Sequence, residues 1–325
     1  INPPLTLASI LPDRPMSFGT WTPVNYERDF RGQVTVVDAL ADSLNVPTAW
    51  VGSQVGAGSI VRTAHELGIQ EDLPEVLPIS IGADETTLLE LAGAYQIFAS
   101  GGEQDPPYAV ESVVDASGHM IYHHDDLSQQ VLRPAVAYLI TGALKAVLRY
   151  GTGARAAGLG LDFPAAGKTG TTQDFHDGYF IGYTPRIVCG VWVGYDEPQS
   201  IGMPGADAAL PAWVHFMTDA VPSDSPEFAE PSGIVMAAID PQSGGLATPQ
   251  CPRNLSLPFL VGSEPTQQCP LHGGLLASIP NPFGSSTPPA GAPSPATVAG
   301  PGAMPSPSSN SVLGGIGSFF SKMFR

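Results

Sequence analysis

The run Gly167-Lys168-Thr169-Gly170-Thr171-Thr172 gathers an ammonium, three hydroxyls and two positions with no side chain into six residues. Such a set can hold an anion or manage a proton beside one. Ser43-Leu44-Asn45 is the second dense set, joining a hydroxyl to an amide that both donates and accepts. Gly-Lys-Thr first suggests a phosphate loop. That motif needs a glycine five positions before Gly167, where the chain has Asp162, and a helix after the Lys-Thr, where helical period is lacking. Gly151-Thr152-Gly153-x-x-Ala156 imitates a dinucleotide fingerprint, but it follows a helical pattern and not a strand. His119, His123, His124, Asp125 and Asp126 are metal-type donors without helical His spacing, and a solvated polar loop explains them.

The elements that must position these sets can be read from periodicity. From Gln33, apolar residues at Val34, Val37, Leu40, Ala41 and Leu44 predict a helix over 33–44. Pro47 disfavours helical geometry at Val46, breaks that helix near Asn45, and suits the first turn of a new one running to Val55. Ser43 and Asn45 therefore sit at a helix–helix break, where side chains two apart can face the same way. Thr87 and Glu90 form a capping-box signature for a helix closed by Gly101-Gly102. Residues 108–115 and 119–122 predict two strands around Ser117-Gly118. Pro134 opens a helix with an unbroken apolar stripe, ended by Gly151.

Beyond Gly167 the period changes. Residues 168–172, 178–184 and 187–195 predict three strands, the last two antiparallel through Thr184-Pro185-Arg186. Gly182, Gly190 and Gly194 would let a helix approach this sheet closely, and 211–220 is the expected cover. Residues 1–32 read as irregular and 233–240 as a further strand. The stretch between Cys251 and Cys269 reads as loop, 277–311 as Pro/Ser/Ala/Gly-rich disordered linker. Residues 312–325 could form a short amphipathic contact with a membrane or a protein.

The totals narrow the function. Thirty acids against 13 bases leave a formal charge of −17, which argues against nucleic acid as a partner. An apolar content of 43% supports a real core, while 37 glycines and 34 prolines crowd toward the C-terminus. No run approaches the ~20 apolar residues of a membrane span. Of the three cysteines, Cys189 lies in a strand pattern and reads as a buried thiol. Cys251 and Cys269 could pair in an oxidising compartment or stay free. Cys269-Pro270-Leu271-His272 resembles half a zinc site, but with Cys251 it supplies three ligands and no convincing fourth is nearby, so no metal is expected.

Ser43-Leu44-Asn45 and Lys168-Thr169-Gly170, in this order, resemble motifs two and three of the penicillin-binding transpeptidases. Longer segments are similar to the bifunctional, class A members: Trp21-Thr22-Pro23-Val24-Asn25-Tyr26, Arg31-Gly32-Gln33-Val34-Thr35, Ala94-Tyr95-x-x-Phe98-Ala99, Gly151-Thr152-Gly153, Asp177-Gly178-Tyr179-Phe180, Gly190-Val191-Trp192-Val193-Gly194 and the Cys251…Cys269 tail. The resemblance covers roughly residues 1–275. Motif one, Ser-x-x-Lys, is missing, because Gly142, Ala165 and Phe319 stand three before Lys145, Lys168 and Lys322.

The resemblance implies an α+β fold, an antiparallel sheet flanked by helices with a helical lobe carrying Ser43 and Asn45, incomplete at the N-terminus. It implies a transpeptidase domain at 1–222, a small β/loop module at 223–276, then the linker and tail. The implied reaction is acyl transfer from D-Ala-D-Ala stem peptides of peptidoglycan, with β-lactams as mimics and no cofactor. Ser43 would relay protons, Asn45 would hold a substrate amide, and Lys168, Thr169 and Thr171 would face the substrate carboxylate. Gly170 would let substrate lie along the strand, and the Thr171 backbone N–H would be half of an oxyanion hole. The nucleophile, a membrane anchor and a glycosyltransferase domain are expected upstream of Ile1, placing the protein on the periplasmic side of the inner membrane. A noncatalytic peptidoglycan- or partner-binding module and a serine β-lactamase-like hydrolase are the competing expectations.

Overall fold

A computed structural model of the chain describes residues 4–125, 127–197 and 199–272. The expected linker at 277–311 and tail at 312–325 lie outside the described residues. Strands β1 (Ile10–Asp13) and β2 (Gly32–Thr35) pair antiparallel, with Leu11 opposite Val34. They lead into a helical lobe of α1 (Val36–Ala41), α2 (Asn45–Val55) and α3 (Ala57–Glu66). Helix α4 (Leu88–Ala99) follows, and Thr87 with Glu90 makes the expected capping box at its start. Strands β3 (Glu103–Gln104), β4 (Ser112–Val114), β5 (Met120–His123) and β6 (Gln129–Gln130) form two small pairs, β3 with β6 and β4 with β5. Helix α5 (Pro134–Arg149) then enters the core.

Strands β7 (Ala166–Thr171), β8 (Gly178–Tyr183) and β9 (Val188–Val193) form an antiparallel sheet in that order, with β7 at an edge. Helix α6 (Gly205–Ala220) covers one face. The side-chain period of two sorts β8 between two cores. Phe180 packs with Trp213, Leu210 and Met217 of α6, whereas Tyr179 and Ile181 pack with Leu91 of α4 and Tyr183 with Leu144 and Val147 of α5. Glycines allow both approaches: a Cβ on Gly182 would lie 2.6 Å from the Trp213 ring, and one on Gly190 2.9 Å from Leu88. Gly194 instead makes room for the Trp192 ring and Asp177.

Finally β10 (Ile234–Ile239) and β11 (Leu255–Leu260) make an antiparallel pair. Leu255, Leu257 and Phe259 alternate inward against Val37, Ala41 and Ala146. Arg253 ties this pair to the lobe through Asp38 at 3.3 Å, and its guanidinium lies 4.3 Å from the centre of the Tyr150 ring.

The α+β expectation matches this architecture, with four local corrections. Residues 33–35 are strand and not helix. Thr35 explains the switch, because its Oγ1 accepts from the Asp38 N–H at 3.2 Å and caps a helix that can begin only after it. The region 1–32 contains β1. The stretch between Cys251 and Cys269 contains β11, whose inward positions alternate despite Pro258. Helix α6 starts six residues before Pro211, which sits inside it.

Candidate active site

The break between α1 and α2 is a built corner. The Leu44 N–H reaches back to the Ala39 carbonyl at 2.9 Å, and the Ser43 N–H to the Leu40 carbonyl at 3.2 Å. This is the hydrogen-bond pattern that closes a helix around one left-handed residue, usually glycine. Here that residue is Ser43, with φ at 57°. A serine is held in a glycine's conformation, at a cost of about 1–2 kcal/mol, and its hydroxyl is thrown out of the helical path.

The start of α2 is fixed by a buried polar set. Asn25 donates to Asp13 Oδ1 at 2.8 Å and to the Asp29 carbonyl at 3.0 Å, and it accepts from the Val46 N–H at 3.1 Å. Asp13 in turn accepts from the Arg31 N–H at 2.9 Å. Asn45, only 4% exposed, donates to the Val24 carbonyl at 2.6 Å. Its Oδ1 is buried and makes no hydrogen bond among the described residues.

The second wall is β7. Lys168 Nζ donates to Ser43 Oγ at 2.7 Å and to the Thr169 carbonyl at 3.1 Å. Burial pushes the Lys168 ammonium down to about 8, with the nearby Asp42 carboxylate opposing the shift. Arg31 pairs with Asp42, so that carboxylate is shared between two cations. The Thr172 N–H bonds to the Asp177 carbonyl at 3.1 Å in continuation of the β7–β8 ladder. Antiparallel ladders alternate, so Thr169 and Thr171 turn their backbone N–H groups toward the open edge. A strand edge of this kind can receive an extended peptide.

The threonine side chains behave differently from the expectation. Lys168 lies opposite Ile181 and shares its face, while Thr169 and Thr171 project to the other face. Thr169 Oγ1 lies 2.6 Å from Thr152 Oγ1, and Thr171 Oγ1 accepts from the Gly205 N–H at 2.9 Å. Their hydroxyls therefore brace β7 against the 151–153 turn and the start of α6 in this state of the molecule. The glycines of that turn have a structural reason. Thr152 N–H bonds to the Ala41 carbonyl at 3.0 Å, and a Cβ on Gly151 would overlap the same carbonyl.

Ser43 and Lys168 thus meet, Thr171 lies further along the same open edge, Asn45 begins the adjoining helix, and Gly170 lies opposite Tyr179 in the ladder. Thr152, Asn25, Asp13 and Gly205 were not among the expected site residues. Asn25 lies in the Trp21–Tyr26 segment and Thr152 in Gly151-Thr152-Gly153, both family-like, whereas nothing local marks Asp13 or Gly205. A cavity of about 540 Å3 between α5 and β11, lined by Tyr138, Lys145, Phe163 and Phe228, holds none of the site residues.

Cys251 and Cys269 are free thiols, and Cys189 is half-buried in β9. The three ligands expected around Cys269 gain a fourth: donor atoms of Asp240, Cys251, Cys269 and His272 lie within 4.8 Å of one another.

A three-stranded antiparallel sheet between two helical layers, with β7 at its edge, gives the chain a transpeptidase-like fold. The family profile for the penicillin-binding protein transpeptidase domain matches residues 7–206, and that for the penicillin-binding protein 1A C-terminal domain matches 230–274. The chain belongs to the penicillin-binding protein transpeptidase family, in its class A branch. It is 34% identical over 254 residues to penicillin-binding protein 1A of Aquifex aeolicus, covering 77% of this chain and 34% of the relative. The crystal structure of penicillin-binding protein 1A from Haemophilus influenzae superposes with a TM-score of 0.73 at 26% identity, over 82% of this chain and 46% of that one. The PonA1 protein from Mycobacterium tuberculosis in complex with penicillin V superposes at 0.60 with 25% identity, over 70% of this chain and 66% of that one. The chain spans about a third of the length of the curated relatives it matches. Among the described residues, no helix is long and apolar enough to cross a membrane.

Proposed function

We propose that these residues build two walls of a D,D-transpeptidase site that joins stem peptides of peptidoglycan. The observation that carries it is the 2.7 Å contact between Lys168 Nζ and Ser43 Oγ beside the open edge of β7. A donor peptide ending in D-Ala-D-Ala would lie along that edge. Its terminal carboxylate would face the Lys168 ammonium, and a backbone amide N–H would meet the unpaired Asn45 Oδ1.

The nucleophile is a serine from a Ser-x-x-Lys segment that these 325 residues do not include. Its oxygen attacks the D-Ala carbonyl, and the Thr171 N–H supports the oxyanion. The serine's proton passes through the Ser43 hydroxyl to the departing amine. The C–N bond breaks, D-alanine leaves, and a serine ester remains. An amine of a second stem peptide then attacks the ester, gives its proton back through Ser43 to the serine, and a new amide forms. A β-lactam follows the first half only, since its ring opens without losing a leaving group. The fitting location is the periplasmic side of the inner membrane, with the anchor outside these residues.

Fluorescent penicillin tests this. The 325-residue chain alone should acquire no stable covalent label. A protein that also carries the Ser-x-x-Lys segment should label, and Ser43→Ala or Lys168→Ala in it should slow acylation by about 100-fold or more. Labelling of the chain alone, or unimpaired labelling of both variants, would remove these residues from the proposed roles. The alternative reading is a noncatalytic peptidoglycan-binding module. That reading gains if a longer protein binds stem peptides yet never forms an ester.

A further inference from the structure

The small β10–β11 pair cannot be stable by its two strands alone. Beside it, four metal-type donors from three separate loops converge. Asp240 ends β10 and is fully buried, Cys251 precedes β11, and Cys269 and His272 follow it. Cys269 Sγ lies 2.9 Å from Asp240 Oδ2 and 3.3 Å from His272 Nδ1, and His272 Nδ1 lies 3.4 Å from the same carboxylate oxygen. Cys251 Sγ is the fourth, within 4.8 Å of the rest.

We infer that Asp240, Cys251, Cys269 and His272 form a structural zinc site that staples the C-terminal module. Zinc bonds of about 2.0–2.3 Å in tetrahedral geometry set neighbouring donors about 3.3–3.8 Å apart. Three of the four donors stand near that spacing before any metal is considered, and a small shift of Cys251 completes the set.

The surroundings suit thiolates. The Leu271 N–H donates to Cys269 Sγ at 3.3 Å and the Thr248 N–H to Cys251 Sγ at 3.2 Å, so each sulfur has a backbone donor. Thr248 Oγ1 also donates to the His272 carbonyl at 2.6 Å, fixing the ligand's backbone. Ser243 holds Asp240 through its N–H at 3.2 Å and its hydroxyl at 2.8 Å. Ligands held this way are oriented before the ion arrives. With four protein donors no position remains for substrate, which makes the site structural and not catalytic. Two sulfurs, one nitrogen and one oxygen favour zinc over the harder calcium or magnesium.

The test uses the full chain, purified under reducing conditions, loaded with zinc and dialysed against metal-free buffer. About one zinc per chain should remain by elemental analysis, and both thiols should resist alkylation until a chelator is added. Cobalt(II) in its place should give the intense visible bands and the sulfur-to-metal charge-transfer band of a tetrahedral thiolate site. His272→Ala should weaken zinc by more than about 100-fold, beyond what loss of a supporting hydrogen bond causes. The unmodified chain provides the metal, alkylation and cobalt readouts, so a variant that fails to fold leaves the question decided. A Cys251–Cys269 disulfide that persists without zinc overturns the inference. So do freely alkylated thiols in excess zinc, or a cobalt spectrum without thiolate bands.

Discussion

Ser43 is bound to its task by backbone geometry as much as by its hydroxyl. At φ 57° only glycine is comfortable. Ser43→Gly and Ser43→Ala both lose the bond to Lys168, so they differ mainly in that conformational cost. The glycine variant should be more stable than the alanine variant by about 1 kcal/mol, measured by denaturant unfolding, although neither can relay a proton. Lys168 sets a pH dependence. Its native value is about 8, against 10.5 when freely solvated. Below pH 8 both native and unfolded states carry the proton, and the native state bears the cost of a buried charge. Between pH 8 and 10.5 the native state releases it first, so this residue's contribution to stability rises with pH. Lys168→Met should flatten that slope in a series of melts. If the ammonium must face the substrate carboxylate, acylation by a nucleophile-bearing form should fall as pH climbs through 8.

The elements are pinned to one another by close backbone approaches and by buried amides. A Cβ on Gly205 would overlap the Gly170 carbonyl and lie 2.8 Å from the Tyr179 backbone. Gly205→Ala should therefore push α6 away from β7 and cost about 3 kcal/mol, with a matching loss of any penicillin acylation. Asn25 satisfies the Asp13 carboxylate and the first turn of α2 together. Asn25→Ala leaves those buried groups unpaired, and a loss of about 3 kcal/mol is expected in chemical denaturation. It should also loosen the Ser43 corner, visible as faster amide exchange at Leu44 and Val46.

At the scale of the described residues, a three-stranded sheet lies between helical layers and the C-terminal module is clamped to the lobe that presents Ser43. The clamp is Leu255, Leu257 and Phe259 in a shared core, plus Arg253 between Asp38 and Tyr150. Because Arg253 is half exposed, Arg253→Ala should cost only about 1 kcal/mol in thermal melts. A larger loss would mean that the module orders α1 and hence the corner. The chain carries both matched regions, the transpeptidase domain at 7–206 and the C-terminal domain at 230–274.

Much of this was legible in the chain, because the relevant signals are local. The Thr87–Glu90 box, the apolar stripe of α5, the antiparallel strands after Gly167 and the break near Asn45 each depend on residues a few positions apart. At 33–35 the local signal misled, since the apolar spacing of a helix overlaps the β-branched residues of a strand, and pairing with β1 decided between them. Contacts between remote residues carry no such periodicity. The Ser43–Lys168 bond spans 125 positions, and only the packing of the lobe against the sheet brings its ends together. The role of Asp240 was hidden for the same reason: it is eleven residues from the nearest cysteine, and the fold of β10 and β11 is what carries its carboxylate to the two sulfurs.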